Sequence, residues 1–285
     1  MLKRILSTLV LWTVILGSLW LFGTHAAVAL VTLLSALTLW EFYDLTIKKG
    51  ARPFRWMGVG FSVLMTAGPY LGFALGEDRH GFAAIGAALL ALGLVIAALL
   101  FTCIRVLGER DGTNRIETIA STVMGLVYVP FMLQFLVLML MFDADSTDNL
   151  VLCLWVVAVS KFCDVGALLT GMAIGRHKMS PVISPKKTWE GAIGGVLTSA
   201  GLGAAIAFFG ASHLPEAMTP LVAAGIAIPL GVTTIISDLI ESVLKRWADS
   251  KDSGHFIPGI GGALDLSDSL ILTAPVAYFI FLFLE

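Results

Sequence analysis

Hydrophobic residues occur along this chain in long blocks separated by short polar stretches. Nine blocks are visible, at about 5–22, 26–46, 57–76, 82–104, 119–142, 150–174, 190–210, 221–244 and 268–284. Each has roughly the 17–25 residues that a helix needs to cross the hydrocarbon core of a bilayer. The pattern predicts an all-α, polytopic integral membrane protein with about nine transmembrane helices. The sixth block is the least regular, because Lys161 and Asp164 interrupt it. The first block follows Lys3-Arg4 and precedes Thr24-His25-Ala26, which resembles a signal-peptide cleavage site. Its apolar length of ~18 residues exceeds the 7–15 of a signal peptide's core, so it reads as a retained helix.

Composition strengthens this picture. The hydrophobic class makes up 58% and charged residues only 13%, against about 25% charged in soluble domains. Mean hydropathy is +0.92. Cys103, Cys153 and Cys163 lie in or beside apolar blocks without CxxC spacing and read as small buried hydrophobes. The net charge of −2 decides little, but the distribution of charge decides a great deal. Lys3/Arg4, Lys48/Lys49/Arg52/Arg55, Arg105/Arg110/Arg115, Arg176/Lys178/Lys186/Lys187 and Lys245/Arg246/Lys251 occupy the N-terminus and every second connection between nine spans, and so share one side of the membrane. Of the 18 basic residues only Arg79 and Lys161 stand outside these groups. The positive-inside rule makes that side cytoplasmic. The N-terminus is then inside, Glu285 outside, and the expected location is the inner (plasma) membrane with the functional face toward the cytoplasm. No nucleic-acid partner is expected.

The polar motifs concentrate in the second half. Residues 1–149 read as scaffold helices, with Trp12, Trp20, Trp40, Trp56 and Tyr70 near helix ends as interfacial anchors. Residues 150–285 read as the catalytic region.

Three clusters carry its chemistry. In the segment 237–269, Asp238, Glu241/Ser242 and Lys245 recur at helical spacing on one face. A carboxylate at membrane depth costs at least ~2.5 kcal/mol, so that face should look into protein or water. Lys245, Arg246 and Lys251 can clamp phosphates, and Pro258-Gly-Ile-Gly-Gly262 lets backbone approach a ligand closely. Asp238 and Asp265 can converge on one cation, while Asp268 also suits a helix N-cap. The second cluster is Lys161 with Asp164, spaced to pair within a helix or to face a polar cavity as cation and metal-seeking carboxylate. The third is Ser184-Pro-Lys-Lys-Thr-Trp-Glu-Gly191. Ser184 or Thr188 can cap a helix, with Pro185 suited to its first position, and Lys186 and Lys187 beside it make an anion site or meet lipid headgroups. The glycines that follow suit close helix packing. Oxygen ligands without a His/Cys cluster point to Mg²⁺ over zinc. The sum is phosphoryl or nucleotidyl transfer onto a lipid.

The segment resembles the phosphatidate cytidylyltransferase (CDP-diacylglycerol synthase) family. Ser242, Lys245, Arg246, Lys251, Asp252, Gly254, Ile257, Pro258, Gly261, Gly262, Asp265 and Asp268 match that family's signature at unbroken spacing. Ile260 stands where the family usually has His, Leu266 where it has Arg, and Ser267 where it has an apolar residue. The resemblance implies transfer of a cytidylyl group from CTP to phosphatidate, giving CDP-diacylglycerol and pyrophosphate for phospholipid synthesis. It implies Mg²⁺, alone or with a second cation, held by Asp238, Asp265 and Asp164. It assigns Lys161, Lys245, Arg246 and Lys251 to catalysis. Substrate would contact Ser184, Lys186, Lys187, Thr188, Ser242, Gly261 and Gly262. The partners are CTP, phosphatidate and the bilayer, and a homodimer is compatible with it. The departures leave open a divergent active branch, in which His255 could stand in for the missing donor, and a catalytically inactive relative. Transfer to another lipid phosphate and secondary transport are the competing functions. The lack of a repeat between the halves argues against transport.

Overall fold

Lipid cannot hydrogen-bond a peptide group, so a chain this apolar must close its N–H and C=O groups within helices. The computed structural model describes residues 2–75, 82–108, 114–142, 146–250, 253–254 and 261–284, with side chains for the same stretches apart from 2–12, 73–75, 82–85, 87–88 and 146–147. Among the described residues seven helices are long and apolar enough to cross a membrane, where the blocks suggested about nine. The first two blocks run together in α1 (Leu2–Lys48), which kinks at Gly23 with φ 52° and ψ −129°, a conformation that only glycine adopts without strain. The third forms α2 (Arg55–Leu75), a 21-residue helix that is not one of the seven. The fourth gives α3 (Phe82–Leu107). The fifth divides into α4 (Arg115–Tyr128) and α5 (Pro130–Met139), because Pro130 has no N–H to continue the ladder and sits instead at the first position of a new helix.

The later blocks give α6 (Ser146–Ile174), α7 (Trp189–Phe209) and α8 (Pro220–Trp247). The last is α9 (Ala263–Ile271) followed by α10 (Thr273–Leu282). Between α6 and α7 lies an antiparallel hairpin of β1 (Lys178–Ser180) and β2 (Ser184–Thr188), pairing Lys178 with Thr188 and Ser180 with Ser184. The hairpin corrects the helix-start reading of this segment. Ser184 and Pro185 are strand residues, and Thr188 alone is the cap, its hydroxyl accepting from Gly191 N at 3.1 Å.

The chain forms two compact units. The first comprises Met1–Ala144 and Trp247–Ser267, so the segment after α8 packs with the first half and not with the second half it follows. Its core is built on α1: Leu39, Phe42, Tyr43 and Leu45 are buried with Met65, Leu126 and Leu133. Gly58 and Gly125 leave room for the Tyr43 ring, whose hydroxyl donates to the Thr122 carbonyl at 2.9 Å.

The second unit comprises Asp145–Arg246 and Asp268–Glu285. Its central contact is α6 against α7, where Gly194 faces Thr170, Gly166 faces Thr198, and Gly195 lies on the Cys163 carbonyl. This is the close helix approach that small residues permit in lipid. Gly201, by contrast, faces open space. Trp155 is buried and donates from Nε1 to the Gly203 carbonyl at 3.1 Å. All three cysteines are free, Cys153 and Cys163 being buried.

Candidate active site

The second unit gathers a cluster of charged residues in the C-terminal half of α8. Asp238, Glu241 and Lys245 share one face of that helix, and Lys245 Nζ lies 2.6 Å from Glu241 Oε2 across one turn. Glu241 is only 1% exposed. Asp268 arrives from α9, and one oxygen from each of Asp238, Glu241 and Asp268 lies within 4.8 Å of the other two. Three carboxylates this close repel one another, and each is met by an ammonium group. Lys187 Nζ from β2 lies 2.5 Å from Asp238 Oδ2. Lys161 Nζ from α6 lies 3.5 Å from Asp268 Oδ1 and donates to Ser269 Oγ at 2.6 Å. Four elements thus contribute three acid–base pairs, which is how charges are retained in a poorly solvated place.

The break between α9 and α10 is part of this construction. It strands backbone groups that an unbroken helix would pair. Ser237, fully buried on α8, donates to the Asp268 carbonyl and accepts from Leu272 N at 3.4 Å. Ser269 N donates to the Asp268 carboxylate at 2.6 Å. Broken helices at membrane depth are tolerated where neighbouring hydroxyls re-satisfy the backbone in this way.

The hairpin supplies the remaining cations. Glu190 closes its base, accepting from Arg176 N at 3.1 Å and His177 N at 3.2 Å. The Arg246 guanidinium braces its turn, donating from Nε to the Ile183 carbonyl at 3.3 Å. Lys178, Lys186, Lys187 and Thr188 then line a cleft of about 510 Å³ together with Asp164 and Asp238. The other wall is apolar, formed by Ala167, Leu168, Met172 and Ile235. A cavity with lysines at one end and an apolar wall at the other suits a phosphate carried on a lipid.

Most of the residues singled out from sequence meet here: Lys161, Asp164, Lys186, Lys187, Thr188, Asp238 and Lys245 around the carboxylates and cleft, Arg246 at the hairpin. Lys161 is directed to Asp268 and Ser269 instead of closing a pair with Asp164. Ser184 sits half-buried in β2 and Ser242 half-buried on α8. Lys251, Asp252, His255, Ile257, Pro258 and Ile260 lie outside the described residues.

Asp265, Gly261 and Gly262 belong to the first unit. Asp265 Oδ2 accepts from Gly262 N at 2.8 Å and from Ser253 Oγ at 2.9 Å, the reciprocal half of a capping box at the start of α9. Gly261 has φ +127°. Leu266 is half-buried, and Ser267 Oγ meets Thr38 Oγ1 at 2.9 Å, so the polar residue in a usually apolar position has a partner.

Sequence reasoning placed Glu241 on the reactive helix face and Asp268 in the signature, with a cap as its alternative role, but named neither as a metal ligand. It missed Glu41 altogether, although a glutamate inside the second block met the same rule about carboxylates at membrane depth. Three carboxylates without a Cys or His form a hard oxygen donor set, and they fit Mg²⁺.

The profile of the cytidylyltransferase family matches residues 2–284. The chain is similar to the phosphatidate cytidylyltransferase of Rickettsia bellii, at 37% identity over 167 residues, 58% of this chain and 70% of that one. It is similar to the phosphatidate cytidylyltransferase of Rickettsia felis at 38% over 172 residues, covering 58% and 71%. It is also similar to an uncharacterized Escherichia coli protein, YnbB, at 32% over 211 residues, covering 74% and 68%.

Proposed function

From the premise that the chain belongs to the cytidylyltransferase family, we propose how its site carries cytidylyl transfer from CTP to phosphatidate, with CDP-diacylglycerol and pyrophosphate as products. The observation that carries the reading is the meeting of three carboxylates and three lysines beside a cleft with one polar and one apolar wall. A phosphatidate oxygen forms a new bond to the α-phosphorus of CTP. The bond from that phosphorus to the bridging oxygen breaks, and pyrophosphate departs with the electron pair. The attacking oxygen is ionised near neutral pH, so the protein need not supply a base. Its task is to position two anions and compensate their charge.

Asp238, Glu241 and Asp268 would hold Mg²⁺, which when bound offsets triphosphate charge; the resemblance adds Asp265 and Asp164 to the candidate ligands. Lys161, Lys187 and Lys245, each now paired with a carboxylate, would turn toward phosphate oxygens, with Lys186 and Lys178 at the cleft. Fixed cations aimed at the leaving pyrophosphate act most strongly where water is excluded. Leu168, Met172 and Ile235 would receive acyl chains. The protein is multi-pass, and the concentration of basic residues beside the hairpin and after α8 supports an inner-membrane setting with the cleft open to the cytoplasm.

The test is purified protein in detergent with CTP, Mg²⁺ and a panel of lipid phosphates. CDP-diacylglycerol should form with phosphatidate in preference to polyprenyl or ether-linked acceptors. Preferred transfer to one of those would reassign the substrate while leaving the chemistry in place.

A further inference from the structure

The first unit contains a buried carboxylate that the reaction does not use. Glu41, on α1, is 7% exposed. Its Oε2 accepts from Leu264 N at 2.9 Å and from Ser253 Oγ at 3.2 Å. Leu264 N–H is one of the donors that the start of α9 leaves unpaired, so Glu41 caps that helix from another element, with its charge at the positive end of the helix dipole. Two glycines of the signature are explained by the same group: a Cβ on either Gly254 or Gly262 would run into the Glu41 carboxylate.

The contact is one rung of a ladder. Lys49 pairs with Asp249 at 2.5 Å, and Lys48 donates to Ser250 at 3.2 Å. Glu41 then holds Ser253 and Leu264, and Thr38, one turn earlier, meets Ser267 at 2.9 Å. Descending α1 from 49 to 38 therefore meets residues 249, 250, 253, 264 and 267 in order. The two outer rungs are exposed and weak. The buried rungs at Glu41 and Thr38 fix the helix that carries Asp265 and, three residues later, Asp268.

We infer that Glu41 is a positioning residue: its carboxylate holds Ser253 and the first turn of α9, and so sets the acidic side chains of that helix for the reaction. This rests on the proposed function for its effect on turnover but not for its effect on the loop. Asp265 cannot substitute for it, because Asp265 satisfies Gly262 N while Glu41 satisfies Leu264 N. Ser253 Oγ lies within hydrogen-bond distance of both carboxylates and links them.

The experiment compares wild type with Glu41→Gln, Glu41→Ala, Gly254→Ala and the double variant Glu41→Ala/Gly254→Ala. Steady-state kinetics are joined by thermal denaturation in detergent and backbone amide exchange across 261–267. Glu41→Gln keeps the shape and one acceptor but loses the charge. Its melting temperature should stay near wild type while kcat falls about 10-fold and KM for CTP changes little. Gly254→Ala should fall comparably. The double variant should exceed the product of the singles, because the space Glu41 occupied then accepts the methyl. Leu264 N–H should exchange faster in Glu41→Ala than in wild type.

Wild-type kcat in Glu41→Gln, or strictly multiplicative losses in the double variant, would overturn the inference. If the wild type forms no CDP-lipid, the proposed function fails. The exchange measurement then decides alone, and unchanged protection of Leu264 in Glu41→Ala contradicts the positioning role.

Discussion

At the scale of single residues, the site is a set of matched charges whose members do different work. Lys245→Met removes the ammonium 2.6 Å from a carboxylate that is 1% exposed. Breaking such a pair costs about 3–5 kcal/mol, whereas removing both charges is often close to neutral. Lys245→Met should therefore lower the melting temperature sharply, and Lys245→Met/Glu241→Gln should restore most of it without restoring turnover. Stability and activity separating in this way would distinguish a functional pair from a merely structural one; recovery of both together would make the pair dispensable to the reaction. Asp238 was legible in the sequence because a charge inside an apolar block is expensive and calls for a reason, Lys245 because it follows Asp238 at helical spacing, and Lys187 because it sits in a polar motif beside a block. Glu41 obeyed the same rule as Asp238. It went unread because its partners, Ser253 and Leu264, lie more than 200 residues away and carry no signal of their own.

At the scale of elements, apolar block length foretold the helices well, and breaks inside blocks poorly. Pro130 announces the division of α4 from α5. Nothing local announces the one at Leu272, which depends on Ser237 of another helix. Ser237→Ala leaves two buried backbone groups short of a partner, and a cost of about 1–3 kcal/mol is expected. Denaturation in detergent reads it, with Ser242→Ala on the same helix as the control. The hairpin was hidden because Ser184–Thr188 is a polar strand without an alternating apolar face, and two residues there suit a helix cap equally well. Gly191, Gly194, Gly195 and Gly203 were read correctly as packing, and Gly201 was not. Gly194→Val should disrupt α6 against α7 by about 1–3 kcal/mol, while Gly201→Ala should be nearly silent because nothing lies within 4 Å of its added methyl. Equal effects at the two positions would contradict the close-packed interface.

At the scale of the whole molecule, membrane character follows from composition alone, and the proposed sidedness rests on the placement of basic residues. With Cys103, Cys153 and Cys163 replaced, a cysteine at Val182, which is 91% exposed in the hairpin turn, should react with an impermeant reagent only from the cytoplasmic side. A cysteine at Glu216, across α7, should react only from the other side. Labelling in the reverse sense would overturn the orientation and, with it, access of cytosolic CTP to the cleft.

Whether the carboxylates of α8 and α9 carry cytidylyl transfer to phosphatidate is decided by a dual-label assay. Purified protein, Mg²⁺ and phosphatidate are given CTP labelled at either the α- or the γ-phosphorus. The α label should pass into lipid and the γ label into pyrophosphate. Asp238→Asn and Asp268→Asn should each lower transfer about 100–1,000-fold while remaining folded in detergent. Absence of α label from the lipid with the wild type, or undiminished transfer in both variants, would contradict that role.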